Sequence, residues 1–431
     1  MIQIIRYNEA LVIHDLLNRL NKRGVAFDPE LIQTVSSIIA DVRERDDDAL
    51  IDYTARFDGI ELDPKDLRVS EQTLNAAADK VEPRVLAALR EAIRNVRAFH
   101  EHQIEQSWEF TPSDGVRLGQ RITPLERVGL YVPGGTAAYP SSVVMNVVPA
   151  QVAGVPRLVV ATPPRTLFEN PAVAAALREL NVTEVYAVGG AQAIAALAFG
   201  THTVPSVDKI TGPGNKYVAA AKKLVFGIVG IDAIAGPTEV VIIADDTARA
   251  DFVAADLLAQ AEHGEDAAAI LMTTSEGFAL AVVQDLERQL ESLPRRAIAK
   301  ASLKNYGAII VLESMVEVCA ITNWIAPEHL QIVTQDDEAI AAQIRDAGAI
   351  FFGPHTPEAV GDYLAGPNHV LPTGRTARFS SALGVYDFVK RTSLLRYSSE
   401  AFSKVAESIA VLAESEGLAA HARSASIRNH R

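Results

Sequence analysis

From Arg127 onward the chain alternates short apolar runs with helix-like stretches, and that alternation restricts the fold more than any other feature. "RVGLYV" is followed by a Pro-Gly-Gly turn and a helical stretch. "RLVVAT" leads to "NPAVAAALREL", "EVYAVGG" to "AQAIAALAFG", and "VDKITGPGN" to "KYVAAAKKLVFG". Strand followed by helix, repeated, implies a parallel sheet covered by helices. A second series begins at "EVVIIADD" and continues through "AAILMT", "GAIIVLE", "HLQIV" and "GAIFFG". Its first helix, "TARADFVAADLLAQAEH", stops at Gly264, a residue suited to a left-handed helix end. The expected fold is therefore α/β: two tandem Rossmann-like, incomplete parallel-sheet units with a cleft between them. The first hundred residues keep a 3.6-residue apolar period and read as helices. The last fifty revert to helix and read as an arm that docks on a neighbouring subunit.

Composition narrows the partners. The 431 residues suffice for about three domains, and 48% of them are apolar, enough for sizeable cores. A formal charge of −14 argues against nucleic acid or an anionic membrane as a partner. The one cysteine, Cys319, excludes an intrachain disulfide, fits a reducing compartment and, in an apolar helical pattern, reads as a packed thiol. The start lacks a secretory pattern, and Pro, Gly or a charge interrupts every long apolar stretch before a membrane span is complete. A soluble, cytoplasmic protein is expected.

Two regions carry candidate chemistry. Three glycine-bearing turns, Gly134-Gly135, Gly189-Gly190 and "GPGN" at 212–215, lie where strands of the first series give way to helices. Ligands of parallel sheets bind beyond the carboxyl ends of strands, near helix N-termini that favour anions. None of the three is a complete G-x-G-x-x-G, so each reads either as turn punctuation or as part of a loosely gripping nucleotide site. The second series carries the polar residues. Gln260 and His263, spaced i, i+3, share a face on the last turn of their helix, where the dipole favours a cation. Glu328 and His329 precede a strand in "APEHLQIV"; Asp362 and His369 follow another, and His421 stands near the end. Each has a plainer reading: a wet helix end, a strand-start pair, a turn residue, a solvated tail. No local zinc spacing is present, so spacing alone supports only a metal site assembled from distant segments.

At these residues the sequence resembles the histidinol dehydrogenase family. The likeness runs in order through "RVGLYVPGGTAAYPSSVVMN", "GGAQAIAALAFGT", "ITGPGNKYV", "IDAIAGPTEV", "LLAQAEH", "APEHL", "NHVLPT" and "ARFSSALGVYDFVKR", nearly the whole chain. The resemblance implies a zinc- and NAD+-dependent homodimer that oxidises L-histidinol through histidinal to L-histidine, the last steps of histidine biosynthesis, with two NAD+. It implies zinc ligands at Gln260, His263, Asp362 and His421, the last exchanged from the other subunit, and a catalytic pair at Glu328 and His329. Substrate contacts fall on Thr238, His369 and Glu416 as well as on His329 and the ligand positions. Nucleotide contacts fall on Tyr131, Gln192 and Asn215. The organisation expected is an arm at 1–25, a helical segment and site-bearing unit at 26–129 plus 239–381, an NAD-binding unit at 130–238, and the helical arm at 382–431. Thr238 stands where a serine is common, and Asp46-Asp47 replaces a glycine-containing turn. A paralogue acting on another functionalised alcohol, such as a sulfonated diol, and a non-catalytic zinc-binding dimer are the alternatives.

Overall fold

The computed structural model describes residues 2–23, 27–134 and 139–429. Gly135, the expected boundary at 25 and 26, and His430 lie outside the described residues. The strands, in chain order, are β1 (Gln3–Arg6), β2 (Trp108–Ser113), β3 (Val116–Pro124), β4 (Arg127–Tyr131), β5 (Arg157–Thr162), β6 (Glu184–Ala187) and β7 (Lys209–Thr211). They continue with β8 (Gly230–Ile231), β9 (Glu239–Ala244), β10 (Ala268–Thr273), β11 (Ala308–Val311), β12 (His329–Val333), β13 (Ala349–Phe352) and β14 (Val389–Tyr397).

The fold is α/β, with two parallel sheets. One has the order β6-β5-β4-β7-β8 and the other β1-β11-β10-β9-β12-β13. In each, the first strand of its series lies inside the sheet and the progression reverses beside it, the doubly wound order. β9 and β10 are buried along their whole length, which is why they read as unbroken apolar runs. Helix Met315–Ile325 opens with a capping box between Ser314 and Glu317. Its Cys319 is buried in the second sheet's core, as a packed thiol should be. Among the described residues no helix is long and apolar enough to cross a membrane.

Two compact units divide the chain: Met1–Gln103 with Glu126–Phe388, and Ile104–Leu125 with Val389–Arg431. The first contains both parallel sheets. The second is built on a three-stranded antiparallel sheet, β14-β3-β2, with nine paired positions from Val389↔Pro124 to Tyr397↔Val116. The expectation of a wholly helical arm at 382–431 is thus corrected. β14, "VKRTSLLRY", is mostly exposed and lacks the apolar alternation that would mark it as a strand.

Residues 2–23, within the segment expected as an N-terminal arm, pack into the second sheet. β1 pairs with β11, and Ile5, Ile13, Leu16 and Leu20 join the core of the second sheet. Helix Pro29–Arg45, capped by Asp28, buries Leu31, Val35, Ile38, Ile39 and Val42 against Val159, Tyr186 and Ile194. That apolar stripe belongs to the first sheet's core, although it had been grouped with the second unit.

Candidate active site

The polar residues of the second series gather at the amino edge of its sheet. Thr238 immediately precedes β9, Glu328 precedes β12, and His329 is β12's first residue, in register with Val240 and Ala349. Crossover helices run back against the strands, so their C-termini collect at this edge. Helix Ala250–Ala261 carries Gln260 in its last turn and ends two residues before His263, which corrects the expectation that both stand on the helix; the negative end of its dipole there is a setting for a cation rather than an anion.

Opposite them, the short helix Glu358–Tyr363 supplies Glu358 and Asp362, spaced i, i+4. One ligand atom each from His263, Glu358 and Asp362 lie within 4.8 Å of one another. Gln260 is fully buried. With its amide nitrogen turned to Glu358 it donates to the two carboxylate oxygens at 2.9 and 3.1 Å, and its oxygen lies 3.0 Å from Thr238 Oγ1. This orientation satisfies the amide, because the reverse would set its oxygen against a carboxylate.

The Thr238 hydroxyl also bonds Glu328 Oε2, which accepts from Glu239 N at 3.0 Å as well. Thr238 has one proton for two oxygens, and a protonated Glu328 completes the chain from Glu328 through Thr238 and Gln260 to Glu358. Burial supports that state by pushing the Glu328 carboxyl up to about 7, against the lowering effect of its Thr238 and Glu239 bonds. Burial also raises Glu358 well above its ordinary value, with Asp362 and Glu328 adding repulsion. Asp362 is raised by burial in opposition to His329 and His263. Three crowded acids with so little positive charge near them suit an added cation.

His329 presents a lone-pair nitrogen at the same edge. Its Nδ1 lies 3.3 Å from the Glu239 carbonyl, which can only accept, so that nitrogen carries the proton. Nε2 is left as the lone-pair nitrogen, buried and without a hydrogen-bond partner, 3.8 Å from Asp362 Oδ1. Burial lowers the imidazole to about 4, so it stays neutral. His369 repeats the pattern, with Nδ1 3.0 Å from the Asp362 carbonyl and a pKa lowered by burial to about 4. His329, Asp362 and His369 face a cavity of about 360 Å³ whose other walls include Phe99, Val360, Leu371 and Leu383. That size suits a small metabolite.

A second cavity, of about 1280 Å³, includes Tyr131, Gly190, Gln192 and Asn215 in its lining. These residues lie at the carboxyl edge of the first sheet, where the nucleotide was expected. The Tyr131 hydroxyl accepts from Gly190 N at 3.0 Å and holds that turn. Gln192 is buried, yet neither of its amide atoms has a hydrogen-bond partner, which a polar ligand would supply. Asn215 is the N-cap of helix Lys216–Val225, accepting from Tyr217 N and Val218 N at 3.0 and 3.2 Å. A structural duty therefore accompanies any ligand contact it makes.

Residue by residue, one constellation in the first unit contains Thr238, Gln260, His263, Glu328, His329, Asp362 and His369. His421, in helix Ala419–Ser426, and Glu416, just after helix Ala406–Ser415, are exposed residues of the second unit. Glu358 was missed in the sequence, though its four-residue spacing to Asp362 was visible. Also missed was Arg23, which forms a buried ion pair with Glu239 and donates to the Thr238 carbonyl at 3.0 Å, bracing the residues behind Glu328.

The family model described as histidinol dehydrogenase matches residues 21–429. The chain belongs to the histidinol dehydrogenase family. Histidinol dehydrogenase of Geobacillus kaustophilus is 56% identical over 92% of this chain and 93% of its own length. That of Bacillus subtilis is 53% identical over 93% of each. Among solved structures, histidinol dehydrogenase of Elizabethkingia anophelis superposes with a TM-score of 0.92 at 37% identity, covering 99% of this chain and 98% of that one. The chain is thereby an enzyme, a dehydrogenase, and the non-catalytic alternative is set aside.

Proposed function

We propose that this chain oxidises L-histidinol through L-histidinal to L-histidine, reducing two NAD+, with one zinc ion per subunit. The single observation that carries this reading is the convergence of His263, Glu358 and Asp362, with the Gln260 amide against Glu358, beside a neutral His329 whose Nε2 is unpaired. The donor set fits zinc: imidazole, one carboxylate and the Gln260 amide oxygen, which in the alternative amide orientation faces Glu358 while the nitrogen donates to Thr238 at 3.0 Å, with the partner subunit's His421 as the further imidazole. When bound, zinc supplies positive charge and a point of attachment for the substrate's imidazole and amine, and NAD+ supplies the hydride acceptor.

The chain's own residues manage protons and position. His329 Nε2 takes the hydroxyl proton as the alcohol is oxidised. Glu328, with a pKa near neutrality, takes a proton from the water that hydrates the aldehyde. His329 returns its proton to the carbonyl oxygen as the hydrate forms and then accepts the proton of the hydrate in the second oxidation. Asp362 and His369 hold the substrate against this base, with Glu416 taking the ammonium group. Thr238 fastens the Glu328 carboxylate through its hydroxyl, so its extra methyl leaves that function intact. Tyr131, Gln192 and Asn215 receive the nucleotide in the larger cavity. The protein is proposed to work in the cytoplasm as a homodimer.

Two measurements on metal content test the ligand set. The parent protein should carry about one zinc per subunit by elemental analysis, in the sense of a single four-ligand site, and His421→Ala should lose most of it on dialysis. Full retention by His421→Ala would remove the tail from the ligand set. Glu358→Gln, which weakens the hold on the Gln260 amide, should lower zinc affinity by about 10- to 100-fold in a chelator competition, the usual effect of losing a residue that orients a ligand. An unchanged affinity would show that Glu358 does not orient Gln260.

A further inference from the structure

A buried ion pair that the proposed chemistry does not use sits under one of the glycine turns. Gly212 opens the turn between β7 and helix Lys216–Val225, with φ +112° and its added Cβ only 2.1 Å from the Tyr131 carbonyl oxygen. Only glycine fits there. Both of its polar groups are engaged by charged side chains. Gly212 N donates to Asp232 Oδ2 at 2.8 Å, and its carbonyl accepts from Lys222 Nζ at 2.9 Å. Lys222 Nζ also pairs with the other oxygen of Asp232. The two side chains are 3% and 6% exposed. Lys222 comes from the helix that the turn leads into, and Asp232 follows β8 directly, so three segments meet at one peptide.

Stability alone is a poor explanation for this arrangement. Removing an ammonium and a carboxylate from water is costly, and an apolar pair of similar volume serves packing at least as well. What charge adds here is aim, because each group meets a specific backbone atom of the turn. Asn215 stands three residues further on and lines the larger cavity together with Tyr131, whose carbonyl abuts Gly212.

We propose that Lys222 and Asp232 are positioning residues for the dinucleotide: they latch the Gly212–Asn215 turn in the shape that receives it. This rests on the reading that the larger cavity takes NAD+. The test is equilibrium binding of NAD+ and of L-histidinol to the zinc-loaded full-length dimer. The double variant K222M/D232L, which removes both charges and leaves neither buried alone, is compared with Q192A. The expected result is at least a tenfold weaker NAD+ dissociation constant in K222M/D232L, with L-histidinol binding within twofold of the parent. A general structural loss would weaken both ligands together and would overturn the latch. NAD+ binding lost in Q192A but kept in K222M/D232L would overturn the latch and leave the cavity assignment standing. Unchanged NAD+ binding in both variants would overturn the cavity assignment and the latch with it. If K222M/D232L does not fold, K222R, which keeps the charge but displaces the donor from Gly212, should show the same selective loss. Parent-like NAD+ binding by K222R would then contradict the proposal.

Discussion

Glu328→Gln should oxidise added L-histidinal about 10³-fold more slowly than the parent enzyme, within the 10²- to 10⁴-fold range of a lost general base. Its first oxidation of L-histidinol should fall less than tenfold. The glutamine oxygen can still accept from Thr238 and from Glu239 N, the two groups that hold the carboxylate, so the geometry survives while the base is gone. What disappears is a carboxyl group that burial tunes to about 7, the group assigned to activate water. Water is consumed only between the two oxidations, so the loss should be confined to the second. Stopped-flow measurement of each half-reaction, with the alcohol or the aldehyde supplied separately, checks this. Equal losses in both would move Glu328 from water activation to general positioning.

His329→Asn should behave differently, slowing both half-reactions by about 10²- to 10⁴-fold. The asparagine amide nitrogen can occupy the place of Nδ1 and still donate to the Glu239 carbonyl, but nothing replaces Nε2. That nitrogen is buried and unpartnered, and His329 lines the smaller cavity. Zinc content should be unchanged, which separates loss of the base from loss of the metal. Single-turnover rates for both substrates, with elemental analysis of the same sample, make the comparison. Alcohol oxidation retained within tenfold would assign the hydroxyl proton to another group.

The contrast between these variants also shows what the sequence could reveal. β9 and β10 were legible because burial on both faces leaves only apolar residues along them. β3 and β14 were not: they pair mainly with each other, and much of β14 faces solvent, so no apolar period separates them from loop. Gln260 and His263 were visible as a pair because they lie three residues apart across the end of one helix. Glu358 lies only four residues from Asp362, but a carboxylate on a short helix is ordinary until the fold buries it. Arg23 could not be found by spacing, since its partner Glu239 lies more than two hundred residues away. The rule that ligands bind at carboxyl ends led to the turns of the first sheet, whereas Glu328 and His329 stand at the start of β12, at the amino edge of the second. The amino edge is the better place for a cation, since helix C-termini converge there.

The most direct test of the central claim is the amount of NADH formed at completion per L-histidinol supplied, with zinc-loaded and chelator-stripped enzyme in parallel. Two NADH per substrate are expected, with activity lost on stripping and regained with zinc. One NADH per substrate, with free histidinal accumulating, would contradict the four-electron reaction and the role given to Glu328. No NADH from L-histidinol, with NADH from a sulfonated diol, would place this chain with a paralogous dehydrogenase of the same scaffold.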